Sequence, residues 1–174
     1  MIDFRQRYLD ARRDQELSIL DVGSYDVNGT FRPVFAAPTW QYRGLDISAG
    51  PNVDIVAPDP YDWSKEVPSN SVDVVISGSA FEHIEFFWLT TQEIGRVLKP
   101  GGLFCLIVPS AGPEHRYPVD CWRFYRDGLV AIAKYAGLES LEAQTHRVNT
   151  GDPGDVFCDS VLVARKNDRI DPSK

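Results

Sequence analysis

This sequence predicts an α/β fold built on one doubly wound, mostly parallel sheet, and two observations carry that prediction. Short apolar, partly β-branched runs recur at Ile19-Leu20, Val53 to Val56, Val72 to Ile76 and Leu103 to Val108, as expected of strands buried on both faces of a sheet. Glycine turns and helical-period segments stand between them, so strands and helices alternate in the way parallel connections require. The 174 residues contain no long linker. A single compact domain over 1–174 is therefore expected, long enough to bury a full core.

Residues 3–16 are charged but place Phe4, Tyr8, Leu9 and Leu17 at near-helical spacing, which predicts a short amphipathic helix ahead of the first strand. That strand holds Ile19, Leu20 and Val22 and ends in an abrupt turn running from Asp21 and Gly23 to Asn28-Gly29. Asn28 or Thr30 can cap a brief helix through Phe35, with Pro33 in its first turn. Strands over 41–45 and 53–56 follow, and the second of these runs into Ala57-Pro58-Asp59-Pro60. Beyond the turn at Pro68 to Ser71, a fourth strand over 72–76 leads to Ser77-Gly78-Ser79-Ala80, where small residues let a ligand approach the backbone.

Residues 85–98 predict a helix whose buried stripe is Phe87, Ile94, Val97 and Leu98, stopped by Lys99-Pro100-Gly101-Gly102. A fifth strand over 103–108 ends at Pro109-Ser110, and a helix over 126–137 stops at Gly137. Residues 139–146 and 156–165 alternate as the arms of a closing hairpin around a polar, glycine-rich stretch at 148–155, with 166–174 as a frayed tail.

Composition excludes several classes of function. A net charge of −7 disfavours binding nucleic acid through its phosphates, which needs clustered lysine and arginine. No apolar run is long enough to cross a membrane and Met1 to Arg5 lacks the apolar block of a signal peptide, so a cytoplasmic protein without a membrane partner is expected. Cys105, Cys121 and Cys158 are widely spaced, with no C-x-x-C pair to suggest disulfides or zinc. No group of His, Asp and Glu has ligand-like spacing, and no metal is expected.

In open α/β sheets a turn at a strand's carboxyl end is where small ligands dock. About twenty residues past the glycine turn, a second strand ends in Asp46, placed to accept hydrogen bonds from both hydroxyls of a ribose. A dinucleotide needs G-x-G-x-x-G for its pyrophosphate. Here Tyr25 and Asn28 stand at the second and third glycine positions, and Asp26 adds a carboxylate. S-adenosylmethionine carries ribose and adenine without phosphate, and its sulfonium tolerates neighbouring acids, so these departures favour the methyl donor over a nicotinamide cofactor.

Six segments, in order, are similar to the class I S-adenosylmethionine-dependent methyltransferases, and to the small type 11 domain in particular. They are Ile-Leu-Asp-Val-Gly (19–23), Gly-Leu-Asp-Ile (44–47), Val-Asp-Ile-Val-Ala-Pro-Asp (53–59), Ser-Val-Asp-Val-Val-Ile-Ser (71–77), Phe-Glu-His-Ile (81–84) and Val-Leu-Lys-Pro-Gly-Gly (97–102). The resemblance implies a Rossmann-like seven-stranded sheet whose last strand is antiparallel. It also implies a donor site made of Asp21, Gly23, Ser24, Asp46, Ile47, Asp59 and Ser77, with Asp59 on the adenine amino group. The segment His-x-Tyr-Pro-x-Asp-x-Trp-Arg-Phe (115–124) resembles that of type 11 enzymes associated with glycan or secondary-metabolite modification.

The expected reaction is methyl transfer to an oxygen, or less readily a nitrogen, of a small molecule or glycan. His115 is the expected general base with Asp120 orienting it, and His83 is the second candidate. Glu82, Arg116, Tyr117 and Arg123 are expected to bind the acceptor. The Asn- or Asp-Pro-Pro-aromatic tetrad of nucleic-acid amino-methyltransferases is missing after the fourth strand, which argues against a flipped base as acceptor. So little chain precedes the first strand that the site must be open or covered by a second copy in a homodimer. The alternative is a catalytically silent donor-binding or partner-binding module on the same fold, favoured by the irregular glycine turn.

Overall fold

A computed structural model describes residues 1–146 and 158–167. The predicted apolar runs become strands β1 (Leu17–Val22), β2 (Trp40–Asp46), β3 (Ile55–Val56), β4 (Val72–Gly78), β5 (Leu98–Ala111), β6 (Leu138–Thr145) and β7 (Cys158–Lys166). They form one seven-stranded sheet in the order β3-β2-β1-β4-β5-β7-β6. The pairs β1–β2, β1–β4, β2–β3 and β4–β5 are parallel, and β7 runs antiparallel to both β5 and β6. The strand order reverses between β1 and β4, and a crevice opens outside their carboxyl ends, where open sheets place ligands.

The two faces are covered unequally. Helices α2 (Phe87–Val97) and α3 (Arg126–Tyr135) cover one face over a core that includes Trp63, Ile94, Phe104 and Leu129. Among the described residues the opposite face carries α1 (Ile2–Tyr8) and a 3₁₀ turn at Arg32–Phe35, with Phe4, Leu9 and Phe35 packed onto Ile19 and Ile76. Arg7 and Tyr8 tie α1 to Glu142 on β6.

Several boundaries differ from the sequence expectation for local reasons. The helix expected over 3–16 ends at Tyr8 and gives way to a 3₁₀ turn at Asp10–Arg12, because the chain bends to bury Leu9 completely. The brief helix through Phe35 is a single 3₁₀ turn whose N-cap is Phe31 with no side-chain cap, so neither Asn28 nor Thr30 caps it; Thr30 Oγ1 accepts the Arg32 N–H at 3.1 Å just ahead of it. β3 is shorter than 53–56 because Asn52 adopts a left-handed φ of 66° and the Asp54 carboxylate accepts the Gly44 N–H at 2.7 Å beside the ladder. Lys99 to Gly102 ends α2 as expected, yet β5 already starts at Leu98, which pairs with Val72 before the register shifts to Val74 and Leu103. Lys166 belongs to β7, not the tail, and its Nζ donates to Leu98 O at 2.7 Å. The glycine-rich stretch 148–155 and the remainder of the tail from 168 lie outside the described residues. No helix among the described residues is long and apolar enough to cross a membrane.

Candidate active site

The parallel ladder between β1 and β2 pairs Asp21 with Gly44 and Val22 with Leu45, which brings the two strand tips side by side. Gly23 follows at φ 75°, and a Cβ there would lie 2.3 Å from Ala80 Cβ, so glycine alone lets the β1 tip pass the loop after β4. The resulting crevice of about 400 Å³ is lined by Gly23, Asp46, Ile47, Ser79, His83 and Tyr117, among others. A second lobe of about 380 Å³ reaches down to Asp21, Ser24, Asn52 and Gly78. Beside Asp46 a small apolar slot is walled by Ile47, Ala57, Pro60 and Trp63. Ser79 holds a left-handed φ of 52° at the edge of both lobes, a conformation that non-glycine residues rarely adopt outside turns and functional sites.

Two carboxylates face this space from the strand tips. Asp21 is buried at 3% exposure, and loss of solvent pushes its carboxyl up to about 7, against the hydrogen bond from the Tyr42 hydroxyl and the field of Arg32, which both lower it. Asp46 accepts the Tyr25 N–H at 3.0 Å through Oδ2 and the Ile47 N–H at 2.8 Å through Oδ1. Two carboxylate oxygens offer about four acceptor positions, so room remains for a diol. The glycine turn is held without a helix behind it. Asn52 Nδ2 donates to Ser24 O at 2.9 Å, Arg32 Nε donates to Asn52 Oδ1 at 2.8 Å, and the Arg32 guanidinium lies 4.5 Å above the Tyr42 ring while pairing with Asp54.

The opposite wall comes from the loops after β4 and β5. Glu82 and His83 sit in a 3₁₀ turn at Phe81–His83, and Glu82 O accepts the Cys121 N–H at 2.7 Å and the Trp122 N–H at 3.3 Å, which staples the two loops together. His83 Nδ1 lies 2.6 Å from Val119 O, and the His83 and His115 rings meet edge to face at 5.1 Å. The Asp120 side chain, only 2% exposed, takes both Arg123 terminal nitrogens at 2.5 and 2.8 Å and the His115 N–H at 2.7 Å. This fork holds the Asp120 carboxyl well below the usual carboxylate range. Burial pushes the Glu82 carboxyl upward.

The residues singled out from the sequence divide accordingly. Asp21, Gly23, Ser24, Asp46 and Ile47 border the crevice or its deeper lobe, as do His83 and Tyr117. Ser77 does not: it is fully buried and its Oγ donates to Val22 O at 2.7 Å, so Gly78 and Ser79 face the space instead. Asp59 lies outside the lining, with its Oδ1 accepting the Tyr61 N–H at 2.8 Å in its own turn, and Ala57 and Pro60 border the slot. Arg116 points into solvent against Glu114, and Arg123 is committed to Asp120 and the Pro113 carbonyl. Asp120 meets His115 through the backbone N–H and stands 3.5 Å from Nδ1. Ser79 lies in the small-residue stretch expected to let a ligand approach, whereas Asn52 and Tyr42 were not singled out from the sequence. The sequence shows no His/Asp/Glu group with ligand-like spacing, yet the fold gathers Glu82, His83 and His115 with one ligand atom of each within 4.8 Å of the others.

The sequence profile of a methyltransferase domain matches residues 20–106, half of the chain and the segment from β1 into β5. The Burkholderia thailandensis 1,6-didemethyltoxoflavin-N1-methyltransferase, solved with bound 1,6-didemethyltoxoflavin and S-adenosylhomocysteine, is 18% identical, with a TM-score of 0.68 over 91% of this chain and 74% of that one. A SAM-dependent methyltransferase from Aquifex aeolicus is 15% identical, with a TM-score of 0.61 over 86% of this chain and 81% of that one. The [4+2]-cyclase SpnF is 18% identical, with a TM-score of 0.66 over 87% and 75%. No curated protein sequence matches. At these identities the solved structures establish the fold, while the profile establishes the family. This chain belongs to the methyltransferase-domain family, whose class I members take their methyl group from S-adenosylmethionine.

Proposed function

We propose that the protein transfers the methyl group of S-adenosylmethionine to an oxygen of a small molecule or glycan seated between the crevice and the loop after β5. The observation that carries this reading is the pair of carboxylate tips, Asp21 and Asp46, on a crevice whose far wall is an imidazole, His83. Asp46 fits a ribose diol, the slot formed by Ile47, Ala57, Pro60 and Trp63 fits the flat apolar faces of adenine, and Asp21 with Ser24 fits the cationic methionine end. The donor is already activated, so the chain's task is to align sulfur, methyl and acceptor, exclude water and remove the acceptor proton. Glu82, His83 and His115 are the groups placed to handle that proton, and exposed Tyr117 offers a ring face to the acceptor.

Isothermal titration tests the donor assignment. Binding of S-adenosylmethionine or its demethylated product at about micromolar Kd is expected, and no binding of either at about 1 mM overturns the reading. A second reading, a binding module without turnover, draws on the Asp46 oxygens already engaged by the Tyr25 and Ile47 N–H groups. Donor binding with no methyl transfer to any hydroxylated acceptor offered would favour it.

A further inference from the structure

We infer that Glu82, His83 and His115 form a site for one divalent transition cation on the acceptor side of the crevice. The inference rests on the proposed methyl transfer for its role, but the site stands on its own geometry. One ligand atom from each residue falls within 4.8 Å of the other two, so modest side-chain rotation brings all three to about 2 Å from a common centre.

An independent observation points the same way. Glu82 is 1% exposed and its Oε2 has no hydrogen-bond partner, while Oε1 stands 3.8 Å from His83 Nε2. Leaving a buried acceptor unsatisfied costs roughly 1–3 kcal/mol, more for a charged one, and a cation between the carboxylate and the imidazoles would remove that cost.

The surroundings have the layout of a metal's outer shell. His83 Nδ1 lies 2.6 Å from Val119 O and so donates its proton there, which presents Nε2 as the lone pair toward Glu82. His115 Nδ1 lies 3.2 Å from Pro113 O and 3.5 Å from the Asp120 carboxylate, itself fixed by Arg123. Such carbonyl and carboxylate partners orient ligating imidazoles and set their tautomer. Two imidazole nitrogens with one carboxylate oxygen suit Zn²⁺, Co²⁺, Fe²⁺ or Mn²⁺ better than the all-oxygen preference of Mg²⁺ or Ca²⁺. Three protein ligands leave positions open, the arrangement of catalytic and not of structural sites.

His83 also lines the crevice, so a cation held there would stand within reach of the acceptor. With a cation bound, Glu82, His83 and His115 would serve as its ligands in place of acting as the base, and an acceptor hydroxyl acidified by the cation would pass its proton to water at the mouth of the crevice. The acceptor oxygen then bonds to the methyl carbon as that carbon's bond to sulfur breaks, and the sulfonium becomes a neutral thioether.

The test is to strip the protein with a chelator and titrate it with Co²⁺, following visible absorption, and with Zn²⁺ by calorimetry. One equivalent is expected for each ion. Glu82→Gln and His115→Ala should each weaken binding by roughly 100-fold or more, beyond the 10–100-fold that loss of an outer-shell partner costs. Both variants should still bind S-adenosylhomocysteine, which shows that they are folded. Absence of stoichiometric binding in the wild type, or affinity unchanged in both variants, overturns the site. Cation binding without any binding of S-adenosyl compounds would leave the site standing and remove the methyl-transfer role; the reverse result would remove the site alone.

Discussion

The two walls of the crevice are built by different means. The wall we assign to the donor comes from Asp21, Gly23, Ser24 and Asp46, at the tips of adjacent strands whose main-chain ladder pairs Asp21 with Gly44 and Val22 with Leu45. The wall we assign to the acceptor joins Glu82 and His83 to His115 across α2 and β5, through contacts that the ladder does not dictate: Cys121 and Trp122 N–H on Glu82 O, His83 on Val119 O, and the Trp122 indole N–H shared by the carbonyls of Ile84 and Glu85 at 3.1 Å each. A strand tip inherits its position from the sheet. A loop residue inherits its position from whichever hydrogen bonds and ion pairs close the loop, so damage to the donor wall should strike binding while damage to the acceptor wall should spare it.

The strongest test of that contrast is Gly23→Ala. Glycine's left-handed φ and the 2.3 Å approach to Ala80 combine backbone strain with overpacking, together worth about 3 kcal/mol. In a chain of this size the loss lowers Tm by roughly 10 °C. S-adenosylhomocysteine binding should disappear by calorimetry; a variant with unchanged Tm and affinity would show that the turn is not the hinge of the donor wall.

Asp120→Ala acts on the other wall. It leaves the Arg123 fork without its carboxylate and frees the His115 N–H. Because Arg123 keeps some solvent and the Pro113 carbonyl, the expected cost is about 2 kcal/mol, under the 3–5 kcal/mol of a fully buried pair. Thermal unfolding should fall by roughly 5 °C, while donor affinity stays within about twofold, as for a distant, uncoupled site. A large loss of donor affinity would mean that the walls are coupled.

The smallest expected effect is a pH dependence of donor binding. Asp21 titrates at about 7 in the free protein, and a cationic ligand beside it requires the ionised form. Below that pH binding must displace a proton, so affinity for S-adenosylmethionine should weaken roughly tenfold from pH 8 to pH 6. Asp21→Asn should flatten the profile, and a profile that persists in it would place the titrating group elsewhere. Linkage gives the opposite sign for the unliganded fold. A carboxyl raised above its unfolded value contributes stability that is fully present below pH 4 and is lost as pH rises toward 7.

Where the structure places an expected site residue away from the crevice lining, local side-chain bonding that spacing does not reveal accompanies it. Ser77 and Asp59 occupy the right segments, but Ser77 Oγ is taken up by Val22 O and Asp59 by its own turn. Arg116 and Arg123 sit in the right loop, yet one pairs with Glu114 in solvent and the other with Asp120. The glycine turn looked irregular because its support is not the usual run of glycines before a helix. Tyr42 on β2, Asn52 in the turn after it and Arg32 in the 3₁₀ turn before it brace the glycine turn, pairings that appear only when β2 lies beside β1.

The sequence by itself determined the sheet, its parallel core and the two carboxylates at the β1 and β2 tips, because continuous apolar runs buried on both faces and the turns that end them convert spacing along the chain directly into position. Only the tertiary structure decided that Glu82, His83 and His115 meet. Some thirty residues of helix and strand separate His83 from His115, and the bonds that close that distance run between loops whose conformation no local pattern specifies.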